Sequence, residues 1–226
     1  MSFSKKPPFN LVLATRNLHK AVEIRAILAG LCQCRTLNDF PDAPAVVEDA
    51  ATFVGNANKK AVQLAQWMAR TRKAESANRN VYVLADDSGL EVDALQGAPG
   101  VYSARFAALD QSDDGSGMEG NSTDDANNAK LLCLLEHVPL EKRTARFRCV
   151  LALAETALDP HPLIFEGVCE GRIDFTPRGL GGFGYDPLFV PIGHDQSFAE
   201  LGEAVKNKLS HRSKAVGKLQ EWLSHQ

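Results

Sequence analysis

The 226 residues carry 25 Lys and Arg against 28 Asp and Glu, a formal net charge of −3, with 44% hydrophobic and 23% charged residues and a pI near 6.1. This is an ordinary globular composition with enough chain for a sizeable core, and it gives no reason to expect a nucleic-acid polymer, which is held by a basic face. No apolar run approaches the ~20 residues of a bilayer-spanning helix, and MSFSKKPPFN has no apolar segment behind its two lysines, so no signal peptide is expected.

Residues 1–10 read as a flexible N-terminal arm and 11–226 as one domain. Leu11-Val12-Leu13-Ala14 is a short strand, followed by the polar TRNLHK. Ala21, Ile24, Leu28 and Leu31 then mark one helical face, with Gly30 at the C-terminal glycine position. Cys32-Gln33-Cys34 alternates as a strand does. With Cys133, Cys149 and Cys169 the cysteines number five, an odd set without framework spacing, which reads as reduced thiols in the cytoplasm. A second helix spans about 52–70, with Ala57, Ala61, Leu64, Ala65 and Met68 on one side. TRKAESANRN (71–80) is an exposed connection to a buried strand, Val81–Ala85, which ends in Asp86 and Asp87. The polar stretch 109–125 reads as a mobile surface loop. Asp124 or Asp125 then caps a helix through Leu131, Leu132, Leu134 and Leu135. ARFRCVLALAE and LIFEGVCEGRIDF form two strands around the turn Asp159-Pro160-His161-Pro162, an antiparallel pair. The C-terminus is helical, with Ala215, Leu219 and Leu223 at spacing four. The expected fold class is α/β with a mixed sheet, in two lobes around a cleft.

Four stretches carry candidate chemistry. ATRNLHK (14–20) ends a strand in a polar loop that opens a helix, presenting backbone N–H groups and the positive helix end. Arg16, His19 and Lys20 add cations or donors. This is a candidate phosphate cradle without the GxxxxGK[ST] of a Walker loop; the alternative is a helix start capped by Thr15 or Asn17. In ADDSGLEVDALQGAPG (85–100), Asp86 and Asp87, with Glu48 upstream in VVEDAATF, supply hard oxygen ligands suited to Mg2+. The alternative is a turn capped by Asp87 or Ser88, with Asp86 in water; Gly89, Gly97, Pro99 and Gly100 mark the stretch as a shaped loop. In GGFGYDP (181–187) the glycines allow close backbone approach. Phe183 and Tyr185 offer flat faces to a base and Asp186 an acceptor, or else the stretch is a hairpin with aromatics in the core. In KNKLSHRSKA (206–215), Ser210 as N-cap puts His211 and Arg212 in a first turn, where cations oppose the dipole. They answer an anionic or acceptor-rich ligand, or form a solvated face.

In order, TRNLHK, DDSGLEVDALQGAPGVYSAR, GGFGYDPLF and AELGEAVKNKLSHR resemble the signature blocks of the inosine/xanthosine triphosphate pyrophosphatase family, also called Ham1-like. The resemblance runs from about Leu11 to Leu223. It implies an elongated α/β fold with a central cleft, a homodimer, and Mg2+-dependent hydrolysis of ITP, dITP and XTP to the monophosphate and pyrophosphate, which cleanses the nucleotide pool. By motif it assigns Thr15, Arg16, Asn17, Leu18, His19 and Lys20 to phosphate binding. Asp87 resembles the proton acceptor and a metal ligand, Glu48 the second metal carboxylate, and Ser88 a substrate contact. Phe183, Gly184, Tyr185, Asp186, Lys206, His211 and Arg212 resemble the nucleotide-binding positions.

Such hydrolysis needs charge neutralised on the phosphates, an in-line water and a base. Lys20, Arg16 and the metal would supply the first, and Asp87 would orient the water. Donors from Arg212, His211 and nearby backbone would meet O6 of the purine, with an aromatic from 183–185 stacked on the ring. An adenine 6-amino group would leave those donors unpaired, at roughly 1–3 kcal/mol per buried group. Two departures from the family pattern stand out. Gly55 occupies the position where relatives often carry Glu before Asn-Ala, at a cost of up to ~1 kcal/mol in a helix interior. The polar loops at 71–80 and 110–123 are also longer than usual. A non-catalytic purine nucleotide sensor is the rival function, opposed by the negative charge of Asp86, Asp87 and Glu48 beside a phosphate site. A pyrophosphatase for other modified nucleotides is a second, against which SHR beside KNKL favours purines.

Overall fold

The computed structural model of the chain describes residues 9–28, 30–71, 81–110, 121–158 and 160–226. Its main elements are β1 (Phe9–Leu13), α1 (Leu18–Ile27), β2 (Cys32–Thr36), α2 (Phe53–Thr71), β3 (Val81–Val92), α3 (Asp124–Leu134), β4 (Thr144–Glu155), β5 (Leu163–Ile173), β6 (Phe189–Pro191), α4 (Phe198–Leu209) and α5 (His211–Ser224). Six strands form one sheet in the order β2-β1-β3-β4-β5-β6. β1 pairs in parallel with β2 and β3, as strands linked by helical crossovers must, while β6 runs antiparallel to β5. The sheet is therefore mixed and the fold is α/β. Among the described residues no helix is long and apolar enough to cross a membrane.

The chain divides into two compact units, one of Met1–Asp87, Val150–Glu166 and Ala215–Gln226, the other of Ser88–Cys149 and Gly167–Lys214. The first buries Leu11 and Leu13 of β1, Ile24 of α1, Leu64 and Met68 of α2 and Leu84 of β3. The α2 stripe Ala57, Ala61, Leu64, Ala65 and Met68 is wholly buried. Leu31, expected on the α1 face, is instead 43% exposed, because α1 closes at Ile27 with Leu28 as its C-cap. The second unit packs Leu90, Phe106, Leu131, Phe147, Phe189 and Phe198 into one cluster. Thr123, rather than Asp124 or Asp125, caps α3 by accepting from Ala126 N–H. Leu134 faces solvent while Leu131 and Leu135, four apart, are buried.

The largest correction concerns β3. It does not stop at Ala85 but continues to Val92, so Asp86 and Asp87 lie inside a strand, 4% and 6% exposed. The turn reading of Asp87 and Ser88 is thereby excluded, and the irregular path begins only after Val92. Phe9 and Asn10 already belong to β1. Residues 1–8 of the expected arm, most of the two polar loops and Asp159 lie outside the described residues.

Candidate active site

Two buried carboxylates in a strand need compensation, and in the first unit it comes from two helices. Lys20 of α1 places Nζ 2.6 Å from Asp86 Oδ1. Lys60 of α2, itself 7% exposed, places Nζ 2.9 Å from Glu48 Oε2, 2.7 Å from the Asp86 carbonyl oxygen and 3.8 Å from Asp87 Oδ1. One turn before it, Asn56 accepts from Ala50 N–H at 2.9 Å and so anchors the segment that carries Glu48. Asp87 Oδ2 and Asn56 Nδ2 are buried without hydrogen-bond partners.

Burial pushes the Asp87 carboxyl up to about 6. Lys60 and Lys20 hold it down, Glu48 pushes it further up, and the dipole of the Asn56 amide helps to hold it down, although the two groups make no hydrogen bond of ordinary length. A carboxyl poised near neutrality is suited to accept a proton. Its unpartnered oxygen and the half-buried Glu48 also form a hard donor pair of the kind a divalent cation takes. Among the described residues no three His, Cys, Asp or Glu side chains gather into a complete metal site; Mg2+ characteristically draws its remaining ligands from water and phosphate.

The TRNLHK loop opens α1 as expected. Asn17 is the N-cap, accepting from Lys20 N–H at 3.2 Å, and Thr15 Oγ1 accepts from Asn17 N–H at 3.0 Å. Leu18 and His19 are exposed. Arg16 donates to the carbonyls of Leu37 at 3.0 Å and Ala43 at 3.4 Å, fastening the loop to its neighbour. Lys20 is paired with a β3 carboxylate, that of Asp86.

In the second unit, Gly182 and Gly184 have φ of 76° and 62°, which wraps the loop around Asp186. That carboxylate, 1% exposed, accepts from Phe183 N–H at 2.9 Å and from Lys206 Nζ at 2.5 Å. Lys206 Nζ also lies 4.3 Å from the Phe183 ring centroid. Tyr185 is buried and donates its hydroxyl to the Ser103 carbonyl at 2.9 Å, which leaves Phe183 as the half-buried aromatic of this loop. Ser210 accepts from Ser213 N–H at 3.1 Å, as a cap of α5 does. His211 and Arg212 are only 3% and 1% exposed, so the solvated-face reading fails. His211 stacks on Phe147 at 4.8 Å and 15°. Arg212 donates to Ser88 Oγ at 3.1 Å and lies 5.9 Å from the Phe183 ring.

A methyl group at 182 would collide with Asp186 Oδ2, in a backbone conformation that already disfavours a side chain. Gly182→Ala is therefore expected to displace the Asp186–Lys206 pair and raise the substrate KM about tenfold, with a smaller change in kcat. Steady-state kinetics check this; an unchanged KM would mean that the pair does not shape the site.

The sequence model of the Ham1 family matches residues 11–222. The chain belongs to the Ham1 family. It is 48% identical to a dITP/XTP pyrophosphatase of Desulforamulus reducens, covering 95% of each chain, and 46% identical to one of Geobacter sulfurreducens, over 96% of this chain and 97% of that one. A HAM1 protein from Coxiella burnetii has a similar structure, with a TM-score of 0.79, 37% identity and coverage of 96% of this chain and 100% of that one. A nucleoside-triphosphatase, or dITP/XTP pyrophosphatase, from Mycobacterium abscessus follows at a TM-score of 0.65 and 35% identity, covering 93% and 98%.

Gly55, set against the Ham1 pattern, stands third in α2 and not in its interior, with its N–H donated to Thr52 Oγ1 at 3.1 Å. The interior penalty therefore does not apply. A Cβ there would lie 2.7 Å from Ala50 Cβ, so this chain brings the 50–52 segment closer to the helix than a Glu would allow. Lys60 and Asn56 are the site residues that apolar periodicity passed over. Their signal was present: two polar residues four apart, inside the stripe that Ala57 and Ala61 bury.

Proposed function

We propose that the chain hydrolyses nucleoside triphosphates with a 6-keto purine, ITP, dITP and XTP, to the monophosphate and pyrophosphate. The observation that carries this reading is Asp87, a buried carboxyl raised to about 6 with one oxygen unpartnered and two lysines and Glu48 around it. A sensor has no use for so costly an arrangement. The water oxygen bonds to phosphorus as the α–β bridging bond breaks; Asp87 takes the water proton and pyrophosphate carries away the bond's electrons. Lys20 and the N–H groups that open α1 receive the phosphate oxygens. Asp87 and Glu48 would hold Mg2+, which when bound neutralises phosphate charge and acidifies water.

Purine recognition falls to Phe183, Arg212 and His211. Phe183 stacks on the base, and Arg212 and His211 direct donors at its 6-keto oxygen. Lys206, Asp186, Tyr185 and Gly184 keep the loop in shape, and Ser88 contacts the substrate. The reading extends to a cytoplasmic homodimer: all five cysteines are free thiols, as a reducing compartment keeps them, and the family resemblance implies the dimer.

The test is pyrophosphate release from ITP, XTP, dITP, GTP and ATP, with Mg2+ and with a chelator. Turnover of ITP and XTP is expected to exceed that of ATP by at least about tenfold and to be lost with the chelator. Equal turnover of ATP would defeat the proposed base selectivity, and no release from any of them would restore the sensor.

A further inference from the structure

We infer that Asp124 and Asn128 on α3 are positioning residues for the purine end of the site, acting by clamping the backbone of Gly184. Asp124 Oδ2 accepts from Gly184 N–H at 2.6 Å, and Asn128 Nδ2 donates to the Gly184 carbonyl at 2.9 Å. The two residues are four apart, so they share one helix face and reach the same backbone unit. The inference rests on the proposed stacking of Phe183 on the base.

The effect on Phe183 follows from where the bonds fall. Its own N–H is held by Asp186 and the next N–H, of Gly184, by Asp124. Carboxylates therefore hold both peptide groups that flank Phe183, next to a Gly184 whose φ of 62° gives the backbone little intrinsic preference of its own. The same helix fixes a second segment: Asn127 accepts from Ala107 N–H at 2.8 Å, and Lys130 donates to the Phe106 carbonyl at 2.8 Å. That segment in turn receives the Tyr185 hydroxyl at Ser103, whose Oγ accepts from Leu90 N–H of β3 at 2.9 Å. The aromatic loop is thus referenced, bond by bond, to the part of β3 that lies in the same unit.

Asp124 in the first turn also favours the helix dipole, but neither residue is needed as the cap of α3. Thr123 already caps the helix, and asparagine inside a helix is a weak former. Asn128 is 7% exposed, and its Oδ1 is buried without a hydrogen bond, a cost that an apolar residue would avoid.

Steady-state kinetics with ITP and Mg2+ on the full-length protein test the clamp. Asp124→Ala and Asn128→Ala are expected to raise KM about tenfold while kcat stays within about twofold, since the Asp87 cluster is untouched. Asp124→Asn should retain a KM near wild type, because its amide oxygen still accepts from Gly184. Asn128→Asp should be worse than Asn128→Ala, because it sets a carboxylate against the Gly184 carbonyl oxygen. Asp124 is exposed, so its variants report even if those at 128 fold poorly. Wild-type KM in Asp124→Ala, with Phe183→Ala raising it, would overturn the clamp alone. Equal defects in Asp124→Ala and Asp124→Asn, or losses that track melting temperature and kcat, would also overturn it. Unchanged KM in Phe183→Ala would overturn the stacking reading and the clamp together.

Discussion

The Asp87→Asn protein is expected to release pyrophosphate from ITP at least about 100-fold more slowly than wild type, the low end of what a positioned base contributes, while still binding ITP in calorimetry. The same variant should be the more stable protein. A carboxyl whose folded value is about 6 against an ordinary 3.8 keeps its proton more tightly folded than unfolded. As pH rises from about 4 to 6 the unfolded chain ionises first, so this group's contribution turns against folding and stays so above pH 6. Asparagine removes that term. In metal-free protein, Asp87→Asn should gain on the order of 1–3 kcal/mol in urea unfolding at pH 7.5 and about nothing at pH 4. Loss of activity with loss of stability at both values would identify Asp87 as a packing residue. Full activity would remove it as the base.

The reason the strand could not be followed past Ala85 in the sequence lies in those same carboxylates. Adjacent acids after an apolar run signal an end because uncompensated charge is costly in a sheet. The compensation comes from Lys20 and Lys60, 66 and 26 positions from Asp86, at distances of 2.6 Å and 2.7 Å to its carboxylate and carbonyl. Nothing local in ADDSGLEV announces either partner. Helix faces were legible because periodicity is local: the stripe of α2 and the spacing of Ala215, Leu219 and Leu223 survive intact. The cap of α3 slipped by one or two residues because Thr123, Asp124 and Asp125 all offer a side-chain oxygen, and the choice turns on backbone angles. Of the residues proposed to bind nucleotide, His211 and Arg212 were marked by cations placed at the wrong end of a helix, but their burial was not legible, because it depends on tertiary packing. Tyr185 and Phe183 could not be separated, because only tertiary packing decides which ring is covered.

Lys60 shows how far the site's function and stability diverge. Lys60→Met is expected to cut ITP turnover about 100-fold and to cost about 2 kcal/mol in urea unfolding. That cost is below the about 3–5 kcal/mol of a fully buried broken pair, because the Glu48 side chain is 35% exposed. The ammonium now neutralises Glu48, satisfies the Asp86 carbonyl and lowers the Asp87 carboxyl. Without it, Glu48 and Asp87 repel unscreened, and Asp87 rises above about 6. The acid limb of the pH–rate profile should therefore move upward, leaving less of the base ionised at neutral pH. Adding Glu48→Gln to Lys60→Met removes the repulsion and should recover most of the lost stability. It should recover none of the activity, because the second carboxylate proposed for the metal is gone as well. Recovery of both would make Lys60 a charge balance and nothing more. An unshifted acid limb in Lys60→Met would show that Lys60 does not tune Asp87.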